Sequence, residues 1–156
     1  MAVVGEKAPE FSLVSQSGET VLLADFKGKK NVILYFYPKD MTPGCTTEAC
    51  DFRDHYESFA SLDAVILGVS TDPKEKHQTF VDKYDLPFSL LVDEDHAVAD
   101  KYGVWILKKN FGKEYMGMDR STFAIDKEGK IAGEWRSVKV KGHVEETLQF
   151  VKDNLN

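Results

Sequence analysis

Two cysteines, Cys45 and Cys50, are the side chains of this sequence best suited to nucleophilic or redox chemistry. Cys45 ends the stretch at 37–45 (YPKDMTPGC), in which Thr42 and Pro43 predict the N-cap and the first residue of a helix. Cys45 then lies two to three residues inside that helix, where free backbone N–H groups and the helix dipole favour a thiolate. A thiolate is the nucleophilic form of cysteine, so the position predicts reactivity. The competing interpretation is a small apolar residue that packs in the core.

Cys50 follows Cys45 by five residues. In an unbroken helix that spacing gives about 7.5 Å of rise and about 140° of rotation, so the two Cα atoms would be roughly 8.6 Å apart. A disulfide needs Cα atoms closer than about 7 Å, so oxidation of this pair requires the first helical turns to unwind. Cys45 is predicted to point inward and Cys50 to a flank, which suits one attacking and one resolving thiol. An ordinary, partly exposed cysteine is the alternative for Cys50.

Hydrophobic patterning predicts alternating strands and helices around this pair. The predicted strands are residues 11–14, 20–23, 31–37, 64–70, 88–92, 121–125 and 130–136. The first helix carries an apolar stripe of Cys45, Ala49, Phe52, Tyr56 and Phe59, whose offsets of 0, 4, 7, 11 and 14 define one helix face. The polar, glycine-containing stretch at 108–117 predicts a loop.

Three more helices complete the predicted element order. The second follows Asp72 and Pro73, which predict an N-cap and a first-turn proline; the third is short and is capped by Asp93 or Asp95; the last begins near Gly142. This order predicts an α/β fold, a thioredoxin-like sandwich with a mixed central sheet, helices on both faces and an N-terminal β-hairpin extension.

Length and charge restrict the class of protein. The chain has 156 residues, a net charge of −6 and 42% apolar residues, which predict one globular domain, residues 1–156. The acidic balance argues against nucleic acid or an anionic membrane as partner. No apolar run approaches the ~20 residues of a membrane span. The N-terminus has no features of a signal peptide, so we expect a cytoplasmic location.

No metal or cofactor site is predicted. The sequence has four histidines: His55, His77, His96 and His143. They are scattered, and the two cysteines with His55 would spread around a helix instead of converging on a zinc ion. No glycine-rich phosphate loop or dinucleotide fingerprint is present.

The residues around Cys45 resemble a known family. The pattern Pro38-x-x-x-Thr42-x-x-Cys45 is similar to the peroxiredoxin active-site motif, and residues 41–50 (MTPGCTTEAC) resemble the peroxiredoxin Q subfamily, also called bacterioferritin comigratory protein. The resemblance continues at 5–11 (GEKAPEF), 69–72 (VSTD), 91–96 (LVDEDH) and 102–105 (YGVW), and at Arg120 with the FAID that follows. It therefore covers nearly the whole chain.

The resemblance implies a role for each matching residue. Cys45 would be the peroxidatic cysteine, which attacks the O–O bond of a peroxide and becomes a sulfenic acid. Cys50 would be the resolving cysteine, which condenses with it to an intramolecular disulfide and limits overoxidation.

Four further positions match the family's site. Thr42 would hydrogen-bond the peroxide and the thiolate, Arg120 would hold the thiolate and polarise the peroxide, Pro38 would shield the pocket, and Glu48 would orient the arginine. Simpler interpretations are an N-cap for Thr42, a surface ion pair near Asp119 for Arg120, and a helix-dipole contact for Glu48.

The implied activity is that of a thiol peroxidase. It would reduce hydrogen peroxide and organic hydroperoxides without metal, haem or flavin, and thioredoxin or glutaredoxin would recycle the disulfide. A resolving cysteine in the same chain suits a monomer, with a weak dimer also allowed. Two rival functions remain: a dithiol oxidoreductase, which the absence of a C-x-x-C motif disfavours, and a redox sensor or holdase, which only turnover would separate from a peroxidase.

Overall fold

A computed structural model describes residues 2–155 and contains a mixed sheet of seven strands in the order β2-β1-β5-β4-β3-β8-β9. β3 pairs in parallel with β4 and antiparallel with β8, and β5 lies parallel to β4. The N-terminal hairpin of β1 and β2 extends the sheet beyond β5. The strands are β1 Ser12–Ser15, β2 Thr20–Leu22, β3 Asn31–Phe36, β4 Ala64–Ser70, β5 Ser89–Val92, β6 Trp105–Asn110, β7 Lys113–Met118, β8 Ser121–Ile125 and β9 Ile131–Trp135.

The central strand β3 is buried along its whole length because its sequence, NVILYF, is apolar on both faces apart from its first residue. Two core clusters lie on opposite faces of the sheet. The helices are α1 Pro43–Asp54, α2 Tyr56–Ala60, α3 Lys74–Tyr84, α4 Ala97–Lys101 and α5 His143–Asn154, and a 3₁₀ turn spans Leu23–Phe26. Helices α1, α2, α3 and α5 contribute to one cluster and α4 to the other, so helices lie on both faces of the sheet as predicted.

Helix α1 begins as the sequence predicts and ends earlier. Thr42 is the N-cap residue, Pro43 is the first helical residue, and Cys45, Ala49 and Phe52 are buried. The predicted continuous stripe to Phe59 is interrupted at His55, whose ring Nδ1 lies 2.8 Å from the Asp51 carbonyl oxygen. Because that ring and the backbone N–H share the same acceptor, the helix breaks there. Phe59 still reaches the core from α2.

The prediction of a loop at 108–117 is wrong. These residues form a two-stranded antiparallel ribbon, β6–β7, outside the main sheet. Phe111 and Gly112 at its tip both have positive φ, which is the twist that a two-residue hairpin turn needs. Lys109 faces Glu114 at 3.6 Å, so the polar residues that suggested a loop pair across the ribbon.

Of the two helix starts at which an aspartate cap was predicted, α3 lacks that cap and α4 has it. Asp72 does not cap α3, because Pro73 is the N-cap residue and the Asp72 carboxylate accepts the backbone N–H of Asp40 at 2.6 Å. Asp93 does stabilise the start of α4, since its two oxygens accept the N–H groups of Val98 and Ala99. Within residues 2–155, none of the helices has the length and apolar character needed to cross a membrane.

The tightness of packing around Gly68, in the sheet beneath α1, can be tested by substitution. A Cβ at this position would lie 2.8 Å from Leu90 and 2.9 Å from the Tyr35 ring, which is closer than packed atoms approach. Gly68→Ala should therefore lower the free energy of unfolding by about 1–3 kcal/mol, measured by urea denaturation. Gly117→Ala is the matched control, since its Cβ would lie 3.3 Å from the flexible Lys108 side chain and 3.4 Å from the exposed Tyr115 ring. Equal stability of the two variants would contradict this packing.

Candidate active site

The candidate site lies between the C-terminal end of the central strand β3 and the start of helix α1. β3 ends at Phe36, residues 37–42 turn, and α1 presents Cys45 as its third residue with 2% of its surface exposed. Arg120 comes from the short link between β7 and β8, and β8 is the neighbour of β3 in the sheet. Sheet pairing therefore brings together two residues that are 75 positions apart.

The guanidinium of Arg120 joins two side chains of α1. Nη2 donates to Cys45 Sγ at 3.2 Å, and Nη1 donates to Glu48 Oε1 at 2.8 Å. Cys45 and Glu48 are three residues apart, so they share one face of the helix. The surface ion pair with Asp119 that a simpler interpretation of Arg120 suggested is not formed, because Asp119 accepts a bond from Ser137 instead.

Gly44 makes room for this guanidinium. A Cβ at position 44 would lie 3.2 Å from Arg120 Nη2, which is tighter than ordinary packing. Glycine is an unfavourable residue inside a helix by about 1 kcal/mol relative to alanine, so its presence in the first turn has a structural reason here. Gly44 was not among the predicted site residues, although a glycine beside a candidate nucleophile in a helix was a usable signal.

Glu48 is fully buried, and its ionisation is finely balanced. Burial raises the pKa of its carboxyl to about 7, although the charge and hydrogen bond of Arg120 lower it. Oε1 accepts from Arg120, while Oε2 has no hydrogen-bond partner among residues 2–155. The attraction of one guanidinium therefore does not fully offset the loss of solvation of the carboxylate.

Arg120 itself stays charged. Burial acts to lower the pKa of its guanidinium, but Glu48 and Cys45 raise it by more, so the net shift is upward. Nearby Tyr35 is also buried, and its hydroxyl has no hydrogen-bond partner in the described part of the chain. Burial, with the charge of Glu48 next in size, raises the pKa of Tyr35 well above its ordinary value, so it remains a neutral phenol.

Cys50 occupies a different environment from Cys45. It is partly exposed, and both cysteines are free thiols. Burial raises the pKa of the Cys50 thiol; Arg53 opposes this shift, and Asp54 and Asp51 add to it. Cys45 has a cationic hydrogen-bond donor, whereas the environment of Cys50 disfavours its thiolate.

Thr42 and Pro38 lie on the approach to α1 and not in the bridged group. The Thr42 hydroxyl donates to the Lys39 carbonyl at 2.9 Å, so the predicted side-chain cap is not formed. Pro38 follows β3 directly and is half-buried. The structure thus brings together three of the six predicted site residues, and places Thr42 and Pro38 before the helix and Cys50 further along it.

This arrangement suits nucleophilic chemistry by sulfur. The N–H of a fixed cation stabilises negative charge on Sγ, and apolar surroundings strengthen that interaction. The same guanidinium could donate to an oxygen that becomes negative as it leaves. Within residues 2–155, no three His, Cys, Asp or Glu side chains are grouped so that they could hold a metal ion.

The comparisons with known proteins agree on one family. A model of the AhpC/TSA family matches residues 4–133. Peroxiredoxin Bcp of Bacillus subtilis is 65% identical over 150 residues, which cover 96% of this chain and 95% of that protein. Peroxiredoxin Bcp of Escherichia coli is 45% identical over 150 residues, 96% of each.

Solved structures give the same picture. A cysteine-to-serine mutant of Xylella fastidiosa PrxQ superposes with a TM-score of 0.94 at 32% identity, covering 100% of this chain and 99% of that one. A Xanthomonas campestris bacterioferritin comigratory protein with alkyl peroxide reduction activity gives a TM-score of 0.92 at 36% identity, covering 100% of both chains. Both support the thioredoxin-like α/β sandwich.

The electrostatic coupling at the site can be tested on Glu48. Arg120→Met removes the charge that opposes burial, so the pKa of Glu48 should rise above its value of about 7 by about one unit or more. Carbon-13 NMR of side-chain-labelled glutamate over a pH series measures this. Arg136→Met is the control, because Arg136 pairs with Glu134 and should leave Glu48 unchanged. An unchanged or lower pKa of Glu48 in Arg120→Met would contradict the coupling.

Proposed function

The chain belongs to the AhpC/TSA family and is a thiol-dependent peroxidase, and from this we propose that Cys45 is the sulfur that attacks the peroxide. One observation carries the assignment: the Arg120 guanidinium donates to Cys45 Sγ at 3.2 Å, and Cys45 is packed in one of the two apolar core clusters. A cationic donor stabilises the thiolate, and the thiolate is the form that attacks. Cys50 has no comparable contact, and its pKa is raised.

In the first step the Cys45 thiolate attacks one oxygen of the O–O bond. The S–O bond forms with the sulfur electron pair, the O–O bond breaks, and the electron pair leaves on the second oxygen. That oxygen takes a proton and departs as water or, for an organic hydroperoxide, as an alcohol. Cys45 is oxidised to a sulfenic acid. Arg120 stabilises the developing charge because its donors are already in place before the reaction.

Three other residues prepare this step. Glu48 holds the guanidinium through Nη1 and so leaves Nη2 directed at the sulfur. Thr42 donates its proton to the Lys39 carbonyl, so its oxygen is left as an acceptor for the O–H of a bound peroxide. Pro38 shields the site from the loop side. For Glu48 the support is a contact; for Thr42 and Pro38 it is their place beside the start of α1.

In the second step Cys50 resolves the sulfenic acid. Its thiol attacks the Cys45 sulfur, the S–S bond forms, the S–O bond breaks, and the hydroxyl leaves as water. Both cysteines lie in α1, where an intact helix separates their Cα atoms by roughly 8.6 Å, beyond the reach of a disulfide. The first turns of α1 must therefore open, which removes Cys45 from Arg120 while the disulfide exists.

The cycle closes with a dithiol reductant of the thioredoxin or glutaredoxin type. Thiol–disulfide exchange transfers the two electrons and returns both cysteines to thiols. Because both sulfurs lie in one chain, a monomer is sufficient for the chemistry. We place the protein in the cytoplasm, since a reducing compartment supplies such dithiols.

The roles of the two sulfurs predict different variants. Cys45→Ser should abolish peroxide consumption in an assay coupled to thioredoxin and its reductase, because the remaining thiol, Cys50, lacks the guanidinium donor that Cys45 has. Cys50→Ser should react once with peroxide and then accumulate sulfinic acid on Cys45, visible as a gain of two oxygens by mass spectrometry. Full turnover in Cys45→Ser, or only a stable sulfenate in Cys50→Ser, would contradict the assignment.

Opening of α1 is predicted separately. Stoichiometric peroxide should speed amide hydrogen exchange across residues 42–52, because the disulfide cannot form within the intact helix. Cys50→Ser under the same treatment should keep its protection, since it forms no intramolecular disulfide. Protection that persists in the oxidised wild-type protein would show that α1 does not open.

A further inference from the structure

A second buried polar group includes Asp40, which belongs to the loop that leads to Cys45. Asp40 and His77 have fully buried side chains, and His77 Nδ1 lies 2.6 Å from Asp40 Oδ2. The other oxygen of Asp40 accepts the Tyr37 hydroxyl at 2.6 Å. Both carboxyl oxygens are therefore occupied by groups of the protein, and the proposed reaction uses none of these side chains.

His77 is held at both ring nitrogens. Its Nε2 lies 2.9 Å from the carbonyl oxygen of Leu91, which can only accept, so Nε2 carries a proton. One proton lies between Nδ1 and the Asp40 carboxyl, and the hydrogen bond forms whichever of the two groups carries that proton. The ring thus links the loop before α1 to helix α3 and strand β5, which are separate parts of the chain.

The backbone of the same loop is also held. The N–H of Asp40 donates to Asp72 Oδ2 at 2.6 Å, and the next residue, Met41, has a φ of 61°. A left-handed conformation costs a residue with a Cβ about 1–2 kcal/mol, so it persists only where surrounding contacts determine it. Thr42 and Pro43 follow at once and begin α1.

We propose that Asp40 and His77 form a positioning clamp that determines where α1 begins and so places Cys45 Sγ against Arg120. Cys45 lies only five residues beyond Asp40, and three of those residues are the strained Met41, the N-cap and the first-turn proline. A shift of the loop therefore passes directly to the sulfur. Tyr37, Asp40 and His77 are positioning residues, because among residues 2–155 the side chain of Cys45 is hydrogen-bonded by Arg120 and by none of these three.

The clamp has a second consequence for the cycle. The first turns of α1 have to open for the disulfide, and Asp40 lies at the N-terminal boundary of the segment that opens. While the clamp holds, opening is confined to α1; without it, the loop before α1 opens as well and the reduced site is populated less. This inference rests on the proposed function, since the reaction of Cys45 with peroxide is one of its readouts.

Two substitutions of His77 separate its two bonds. His77→Asn places an amide nitrogen where Nδ1 lies and keeps a donor for Asp40, while His77→Gln places one where Nε2 lies and keeps only the donor for Leu91. The clamp predicts that His77→Gln speeds amide exchange at residues 46–49 of the reduced protein by about tenfold or more. His77→Asn should restore most of the protection.

The same variants are then mixed with hydrogen peroxide in a stopped-flow measurement of Cys45 oxidation. The rate constant of His77→Gln should fall by about tenfold or more, because a small misplacement of a reacting atom has a large effect. His77→Asn should lie near the wild-type rate. Tyr37→Phe removes one hydroxyl and keeps the ring, so it should lower the oxidation rate constant by a smaller factor. It replaces His77→Gln as the test variant if His77→Gln does not fold.

Asn31→Ala is the matched control for loss of buried hydrogen bonds. Asn31 is buried at the opposite end of β3, where its amide donates to the Leu62 and Leu155 carbonyls. It should lower stability without changing exchange at 46–49 or the oxidation rate. Three results would overturn the clamp. His77→Gln and His77→Asn could have equal effects, or Asn31→Ala could change exchange at 46–49 and the oxidation rate as much as His77→Gln does. The third is unchanged exchange at 46–49 in both His77→Gln and Tyr37→Phe. A wild-type protein that does not react with peroxide would overturn the proposed function, and exchange in the reduced variants would still decide the clamp.

Discussion

The charge on one guanidinium is the constraint on which the site depends. Arg120 must remain ionised in a place where Cys45 and Glu48 are both buried, and it must reach both at once. Desolvation alone would drive the guanidinium and the carboxyl toward their neutral forms. Their mutual contact holds Arg120 charged and leaves Glu48 with a pKa of about 7. Cys45 Sγ therefore lies next to a permanent cation, and the carboxyl that is bonded to this cation is only partly ionised near neutral pH.

The rest of the fold keeps this bridge in place. β3 and β8 are neighbours in the sheet, so the residues just beyond their ends meet at one edge. Gly44 lets the guanidinium pass over the helix start, and the loop before it is held by Asp40. The site is thus held on both sides, although α1 has to open during the proposed cycle. Rigid surroundings and a helix start that opens are compatible because Phe59, which lies beyond the opening segment, is packed in the core.

The sequence predicted those parts of the molecule that depend on local pattern. The strands at the centre of the sheet, the start of α1 at Pro43 and the inward position of Cys45 all follow from periodicity and helix-start chemistry. The β6–β7 ribbon was missed because a stretch with lysines and Glu114 is typical of a polar loop. The residues that stabilise these side chains lie across the ribbon and are not adjacent in sequence.

Long-range pairs could not be predicted from residue patterns. The bond between Arg120 and Glu48 joins positions 72 apart, and only the resemblance to peroxiredoxins suggested it. Asp40 and His77 are 37 apart, and a lone histidine in an amphipathic helix carries no signal of a buried partner. Both depend on tertiary packing, which a single sequence does not display.

The central claim is that Glu48 acts on Cys45 through the guanidinium of Arg120. The most direct test is a double-mutant cycle on the rate constant for Cys45 oxidation by hydrogen peroxide, carried out in the Cys50→Ser protein with Glu48→Gln, Arg120→Lys and the two combined. If the carboxyl acts through the guanidinium, Glu48→Gln should slow oxidation when Arg120 is present and have almost no further effect when Arg120 is lysine. Losses that simply multiply in the double variant would contradict the account.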